Sequence, residues 1–275
     1  MTAAPLMPEI HIAEQVPATE VRAYFSQDRL LNAYALADLD GADVERARWW
    51  TASRANSIVA AALVVEALAF RPCFATGDGE ALTRIFREGV RESRLVVSTP
   101  PAGRLAVEAT YRFERLDRMD RMAVEVRRFR PRVTHTVTRL TADELDDVID
   151  LYGHASRSYF TPDRMAREIY FGIYQGDMIV SAAGTHVRST KSGIAAVGNV
   201  LTRLAYRGRG MARSVTSAVT ETALELHRDV VLNVRQDNSP AIAVYQRLGY
   251  RTHAPFVEGP AIRRSAFDRL LGRIK

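Results

Sequence analysis

The chain has 275 residues, 47% of them hydrophobic and 25% charged, an ordinary soluble globular composition with ample material for a buried core. Its length exceeds the roughly 100–200 residues of a typical single domain, which predicts two domains or one elaborate one. The net charge of +6 is carried almost wholly by arginines scattered among the acids, with lysine only at Lys191 and Lys275; the single basic stripe expected of a nucleic-acid binder is missing.

Cys73 is the only cysteine, which excludes an internal disulfide framework and a cysteine-cluster metal site. In the apolar run "AFRPCFATG" it reads as a small buried thiol. The six histidines show no metal-ligand spacing, so no metal is expected. The opening "MTAAPLMPEIHIAEQ" lacks the basic region and apolar stretch of a signal peptide. The longest apolar run, Ile58–Val65, falls far short of the roughly 20 residues that span a bilayer. A cytoplasmic protein without a membrane partner is the expectation. No internal repeat and no low-complexity tract is visible.

Taken in chain order, residues 18–39 carry an amphipathic helical pattern. Trp49 and Trp50 suit a core or an interface. "SIVAAALVVEALAF" is apolar and β-branched, suited to one or two buried strands. "GEALTRIFREGV" recovers helical spacing, with Leu82, Ile85 and Phe86 on one face. "SRLVVSTP" and "AVEATYRFERL" read as strands. His11 and the acids of this half are isolated, and no catalytic constellation emerges. Pro131, inside "RRFRPRV", interrupts regular structure, and a domain boundary is expected there, giving residues 1–130 and 131–275.

The second half is more legible. "THTVTRL" alternates as a strand does, and Thr141 with Glu144 forms a capping box ahead of a helix that ends near Gly153. "RMAREIYFGIYQGDMIVSAAGTHVRS" predicts a helix end and two strands hinged at Gly176, whose turn needs a positive φ. "IAAVGNVLTRLAY" is a further strand. It leads through "RGRG" into the helix "ARSVTSAVTETALELH", the buried strand "VVLNV", the short helix "SPAIAVYQRL" and a terminal strand from Tyr250. The helix cap falls at Asn238 or Ser239, Pro240 suits the first turn, and Gly249 a left-handed end. This alternation is that of an α/β sheet with ligand sites at strand ends.

In "YRGRGMA" a strand gives way to a helix within a few residues. The first helical turn offers unpaired amides and the positive end of the macrodipole. Gly208 and Gly210 let the backbone curl closely, and Arg207 and Arg209 add charge. An exposed arginine turn is the plain alternative to an anion seat. A Walker loop is ruled out because Met211 and Ala212 stand where Lys and Ser/Thr are required, and the dinucleotide fingerprint is incomplete.

The stretch "NVRQDNSPAIAVYQRLGYR" follows about thirty residues later. Together the two segments resemble the GNAT superfamily of acyl-CoA-dependent N-acetyltransferases. Arg207, Gly210 and Ala212 match its R/Q-x-x-G-x-G/A signature, and Asn238, Ala241, Tyr245, Gly249 and Tyr250 match its second motif. The resemblance covers roughly residues 134–257, with Leu204 standing where many members have proline. It implies a mixed α/β (α+β), mostly antiparallel sheet flanked by helices, and a second, divergent GNAT-like half without a phosphate loop in the N-terminal part.

The resemblance further implies acetyl-CoA as cosubstrate, bound between the fourth and fifth strands of that half. Asn199, Val200, Leu201 and Thr202 would run beside the pantetheine, and Arg207, Gly208, Arg209, Gly210, Met211 and Ala212 would seat the diphosphate. Asn238 would support the cofactor, and Tyr245 would protonate the departing thiolate. The general base stays open among His186, Glu168 and Glu258. An N-acetyltransferase acting on a small-molecule amine is the leading expectation. A non-catalytic acyl-CoA sensor, an amino-acid acyltransferase of glycine N-acyltransferase type, and a nucleic-acid binder are the alternatives.

Overall fold

A computed structural model describes residues 9–41 and 44–265 of the chain. Residues 1–8, on which much of the leader expectation rests, and Lys275 lie outside the described residues. The elements run β1 (Ile10–Glu14), α1 (Ala18–Phe25), α2 (Ala33–Asp40), β2 (Ala47–Arg54), β3 (Ser57–Val65), β4 (Pro72–Gly77), α3 (Gly79–Arg84), β5 (Arg94–Thr99), α4 (Arg104–Glu108), β6 (Tyr111–Phe113) and β7 (Asp117–Glu125). They continue with β8 (Thr138–Leu140), α5 (Leu145–Tyr152), α6 (Pro162–Arg167), β9 (Tyr170–Gln175), β10 (Met178–Ser189), β11 (Ile194–Thr202), α7 (Met211–Leu226), β12 (Asp229–Arg235), α8 (Ser239–Arg247) and β13 (Arg251–Arg263).

The chain packs as two compact units. The first holds residues 9–28, 44–118 and 256–265 of the described chain, and the second holds 29–41 and 119–255. This grouping differs from a break at Pro131. Residues 119–130 belong to the second unit, the C-terminal strand returns to the first, and α2 packs on β10 and β11. The single helix expected over 18–39 is accordingly two, broken at 26–32, with α1 in the first unit and α2 in the second.

In the first unit β1, β2, β3, β4, β5 and the second part of β13 lie in that order, with β6 also paired to β13. Only the β4–β5 pair is parallel, and α3 connects its strands. Leu82, Ile85 and Phe86 are fully buried on one face, as their spacing predicts, with Trp50 and Cys73 in the same core. "AVEATYRFERL" departs from expectation. Its first residues close the short helix α4, and the strand is confined to Tyr111–Phe113.

The second unit repeats this plan at larger scale. Its strands run β7, β12, β11, β10, β9, β8, all antiparallel except β11–β12. α7 joins the parallel pair and buries Val215, Val219 and Ala223 against Val197, Val230 and Leu232. Each such valine contributes about 1.5–3 kcal/mol on burial. The Thr141–Glu144 capping box is formed, Gly176 turns β9 into β10 at φ +60°, and β8 keeps only three residues of the longer strand predicted.

Candidate functional site

The two parallel strands of the second unit part company at one place. β11 and β12 pair from Ile194↔Asp229 to Val197↔Leu232 and no further. Beyond it Asn199, Val200, Leu201 and Thr202 continue along β11 with their β12 side open. This is an opening between strand ends of the kind where α/β sheets take ligands.

At the end of β11 the chain makes a short turn over Leu204–Tyr206 and then enters α7. Gly208 has φ +78° and Gly210, the N-cap of α7, has φ +83°. This left-handed region is open to glycine without penalty. The amide of Arg207 donates to the Leu204 carbonyl at 3.3 Å, and regular pairing resumes where Ser214 donates to Gly210 at 3.2 Å. Between them the amides of residues 208–213 have no acceptor among the described residues. The free run is therefore shifted by one residue from the expected Arg207–Ala212.

The arginines divide their work. Arg207 folds back, its Nε donating to the Thr202 carbonyl at 3.0 Å, so it braces the strand end. Arg209 lies over the Tyr206 ring. Arg213, which sequence reasoning missed, places its Nη2 3.5 Å from where a Cβ on Gly210 would stand, and its Nε is buried without a partner. His135 and Thr134 flank the same spot through the Ser214 hydroxyl, at 3.1 Å from His135 Nδ1 and 3.1 Å from the Thr134 amide. Only the i, i+3 spacing of Arg213 from Gly210, on the first turn of the helix, could have signalled it.

α8 supplies the other motif residues. Asn238 Oδ1 caps the helix by accepting from the Ala241 amide at 3.3 Å, Pro240 lies in its first turn, and Gly249 closes it at φ +98°. Tyr245 packs its ring at 60° to that of Tyr250, with centroids 6.0 Å apart. Its residue is 7% exposed, yet its hydroxyl is neither sealed off nor hydrogen-bonded within the described residues. Desolvation pushes its pKa up to about 12, so it holds its proton throughout the neutral range.

The three base candidates separate. Glu258 belongs to the first unit, where it accepts from Ser98. Glu168 is committed to Thr185 and to Arg188 at 3.4 Å. His186 alone adjoins the open strand, with Nε2 3.0 Å from Asn199 Oδ1 and Nδ1 3.0 Å from the Tyr34 hydroxyl. Burial pushes its pKa down to about 4; the Asn199 hydrogen bond opposes this, and Arg164 and Arg121 reinforce it. His186 as a residue is half-buried, so solvent screens part of this effect.

That shift has a measurable consequence. Unfolded histidine titrates near 6.5, so between pH 6.5 and 4 the unfolded chain binds a proton that the folded chain refuses. Stability is present in full above pH 6.5 and falls as pH drops toward 4, by on the order of 2 kcal/mol from this residue. His227 is depressed in the same direction by burial. Urea unfolding of His186→Gln is expected to lose part of the slope between pH 6.5 and 4.5; an unchanged slope would assign it elsewhere.

The first unit offers no such seat. Its parallel strands are joined through Gly77, Asp78 and Gly79, and Asp78 Oδ1 caps α3 by accepting from the Ala81 amide at 3.0 Å. A carboxylate thus occupies the helix start that the second unit leaves open. Among the described residues no cluster of metal-ligating side chains occurs, and no helix is long and apolar enough to cross a membrane.

The FR47-like protein family model matches residues 170–256, the stretch from β9 to the middle of β13 that contains the opening, the glycine turn and Tyr245. No curated protein matches the sequence. Among solved structures, the chain is similar to a GCN5-related N-acetyltransferase from Kribbella flavida, with TM-score 0.58, 16% identity, and 92% of this chain covering 97% of that one. A GCN5-related N-acetyltransferase from Sphaerobacter thermophilus gives TM-score 0.56 at 17% identity, with 94% and 98% covered. A tandem GNAT protein from the clavulanic acid biosynthesis pathway gives 0.55 at 13%, with 92% and 98% covered. These likenesses extend over both units. The chain has the fold of these GNAT structures, and its residues 170–256 are similar to the FR47-like family.

Proposed function

We propose that the second unit transfers an acyl group, acetyl in the first instance, from acyl-CoA to a primary amine by direct attack in a ternary complex. The observation that carries this reading is the run of unpaired amides over residues 208–213 at the end of a strand parted from its parallel neighbour. Six donors at the positive end of a sixteen-residue helix, with Arg213 beside them, suit a diphosphate. The opening beside Val200–Thr202 suits an extended pantetheine arm pairing with the strand.

Each residue then has a chemical task. A backbone N–H of the open β11 segment polarises the thioester carbonyl and stabilises the charge that develops on its oxygen. Tyr245, protonated at neutral pH, gives its proton to the departing thiolate. Asn238 fixes the start of the helix that carries Tyr245. The acceptor is read as a small-molecule amine, and the expected setting is the cytoplasm.

The direct test is a thermal-shift titration with CoA and with DNA, followed by a thiol-release screen of acetyl-CoA against amino acids, polyamines, aminoglycosides and peptide N-termini. CoA is expected to raise Tm and DNA to leave it unchanged, with turnover on at least one amine class. Stabilisation without turnover on any class would favour the sensor reading. A shift with DNA and none with CoA would overturn both.

A further inference from the structure

The residue that opens the strand is also the most heavily anchored residue near it. β10 and β11 lose register between Ala182 and Gly184, and Asn199, on the opposing strand there, has φ +51°. Among residues other than glycine, asparagine accepts this backbone conformation most readily. Side chains from separate elements converge on it. Its Nδ2 donates to the Tyr170 hydroxyl at 3.0 Å and the Tyr159 hydroxyl at 3.4 Å. The Tyr152 hydroxyl donates to its carbonyl, and His186 meets its Oδ1. The His186 ring abuts Gly198, where a Cβ would stand 2.2 Å from Cε1 and Nε2, so only glycine admits it.

The hydrogen bonds close into one consistent set. The Asn199 amide group donates to two tyrosines, so its oxygen faces His186 as an acceptor. His186 Nε2 must then carry the proton, and Nδ1 receives the hydroxyl of Tyr34. Tyr34 is held in turn with Arg121 over its ring, 4.7 Å from the centroid. Arg164 braces the other side, donating to the Tyr159 hydroxyl at 3.3 Å and the His186 carbonyl at 3.1 Å. With both ring nitrogens occupied, His186 has no lone pair for an incoming amine, which a general base requires.

We propose that His186, held by Tyr34, is a positioning residue: it locks Asn199 in its left-handed turn and so fixes the course of Val200–Thr202 along the parted strands. The inference rests on the acyl-transfer reading of that opening. It assigns the histidine to orientation and leaves deprotonation of the amine to water or to the acceptor itself.

The test compares His186→Phe, His186→Gln and Tyr34→Phe with the wild type in CoA thermal shift, kcat and the KM for acetyl-CoA. His186→Phe is expected to keep the CoA shift and to lose about 30- to 100-fold in kcat, the cost of misplacing reacting groups by about 1 Å. His186→Gln, which can still donate to Asn199, should recover part of that loss. Wild-type kcat in His186→Phe, or loss of CoA binding in step with kcat, would overturn the proposal. If His186→Phe fails to fold, unchanged kcat in both milder variants does the same. Side-chain 15N NMR adds a readout independent of turnover: the Nε2-protonated tautomer is expected, and the opposite tautomer refutes the network. A wild-type protein inert toward acetyl-CoA and CoA would sink the acyl-transfer reading itself, an outcome distinct from failure confined to the variants.

Discussion

On the acyl-CoA reading proposed above, Gly210→Glu is expected to remove most of the stabilisation by CoA, raising the apparent Kd by on the order of 100-fold, which at a fixed ligand concentration near 100 Kd erases about 2.3 of about 2.7 kcal/mol of linkage. Two effects act together. Gly210 has φ +83°, where a side chain strains the backbone by about 1 kcal/mol. The larger effect is the carboxylate, which would sit against the free amides of residues 208–213 and beside Arg213 and take the place of the diphosphate. Crowding contributes little, since the nearest atoms to an added Cβ are Arg213 Nη2 at 3.5 Å and His135 Cε1 at 3.8 Å. Gly210→Ala separates the two effects: it carries the strain without the charge, and should weaken CoA by only about fivefold to tenfold. Calorimetric titration of both variants decides it. An unchanged CoA affinity in Gly210→Glu would remove the diphosphate from this turn.

What the sequence revealed about this seat follows from how local its parts are. The two glycines, the helix that begins at Met211, the cap at Asn238 and the left-handed Gly249 are all short-range devices, and each stands where its residues predict. The same is true of the Thr141–Glu144 box and the turn at Gly176. The anchoring of Asn199 is of another kind. Tyr34 and His186 are 152 positions apart, and neither carries a local pattern that points to the other. The membership of α2 in the second unit is equally silent, because its buried face, including Ala33, Leu36 and Ala37, would suit any apolar neighbour. β7 has no counterpart among the predicted strands, because the charges at Asp117, Arg118, Asp120 and Arg121 mask the alternation of Met122 and Val124 into the core, and Arg121 is itself buried. β1 and β4 are too brief to show a sustained period of two, and β2 is buried on both faces over residues 49–52, which removes the alternation.

Tyr245→Phe tests the chemistry as Gly210→Glu tests the seat. The substitution deletes one hydroxyl that makes no hydrogen bond within the described residues, so the ring's packing on Tyr250 and in the core is kept and Tm should move by no more than a degree or two (about 0.5 kcal/mol). CoA affinity should likewise be unchanged. Proton donation to a leaving group is worth 10²- to 10⁴-fold, and kcat is expected to fall by about 100-fold. The pH profile adds a second check. Because desolvation lifts this hydroxyl to about 12, it stays protonated through pH 7–10, and the wild-type rate should not decline there through loss of the acid. An alkaline fall in kcat/KM below about pH 10 that vanishes in Tyr245→Phe would mean that the hydroxyl titrates far lower, where a tyrosinate would serve as base and not as acid. Phenylalanine at full rate would show that the thiolate leaves without help from α8, and the role of Tyr245 would reduce to packing against Tyr250.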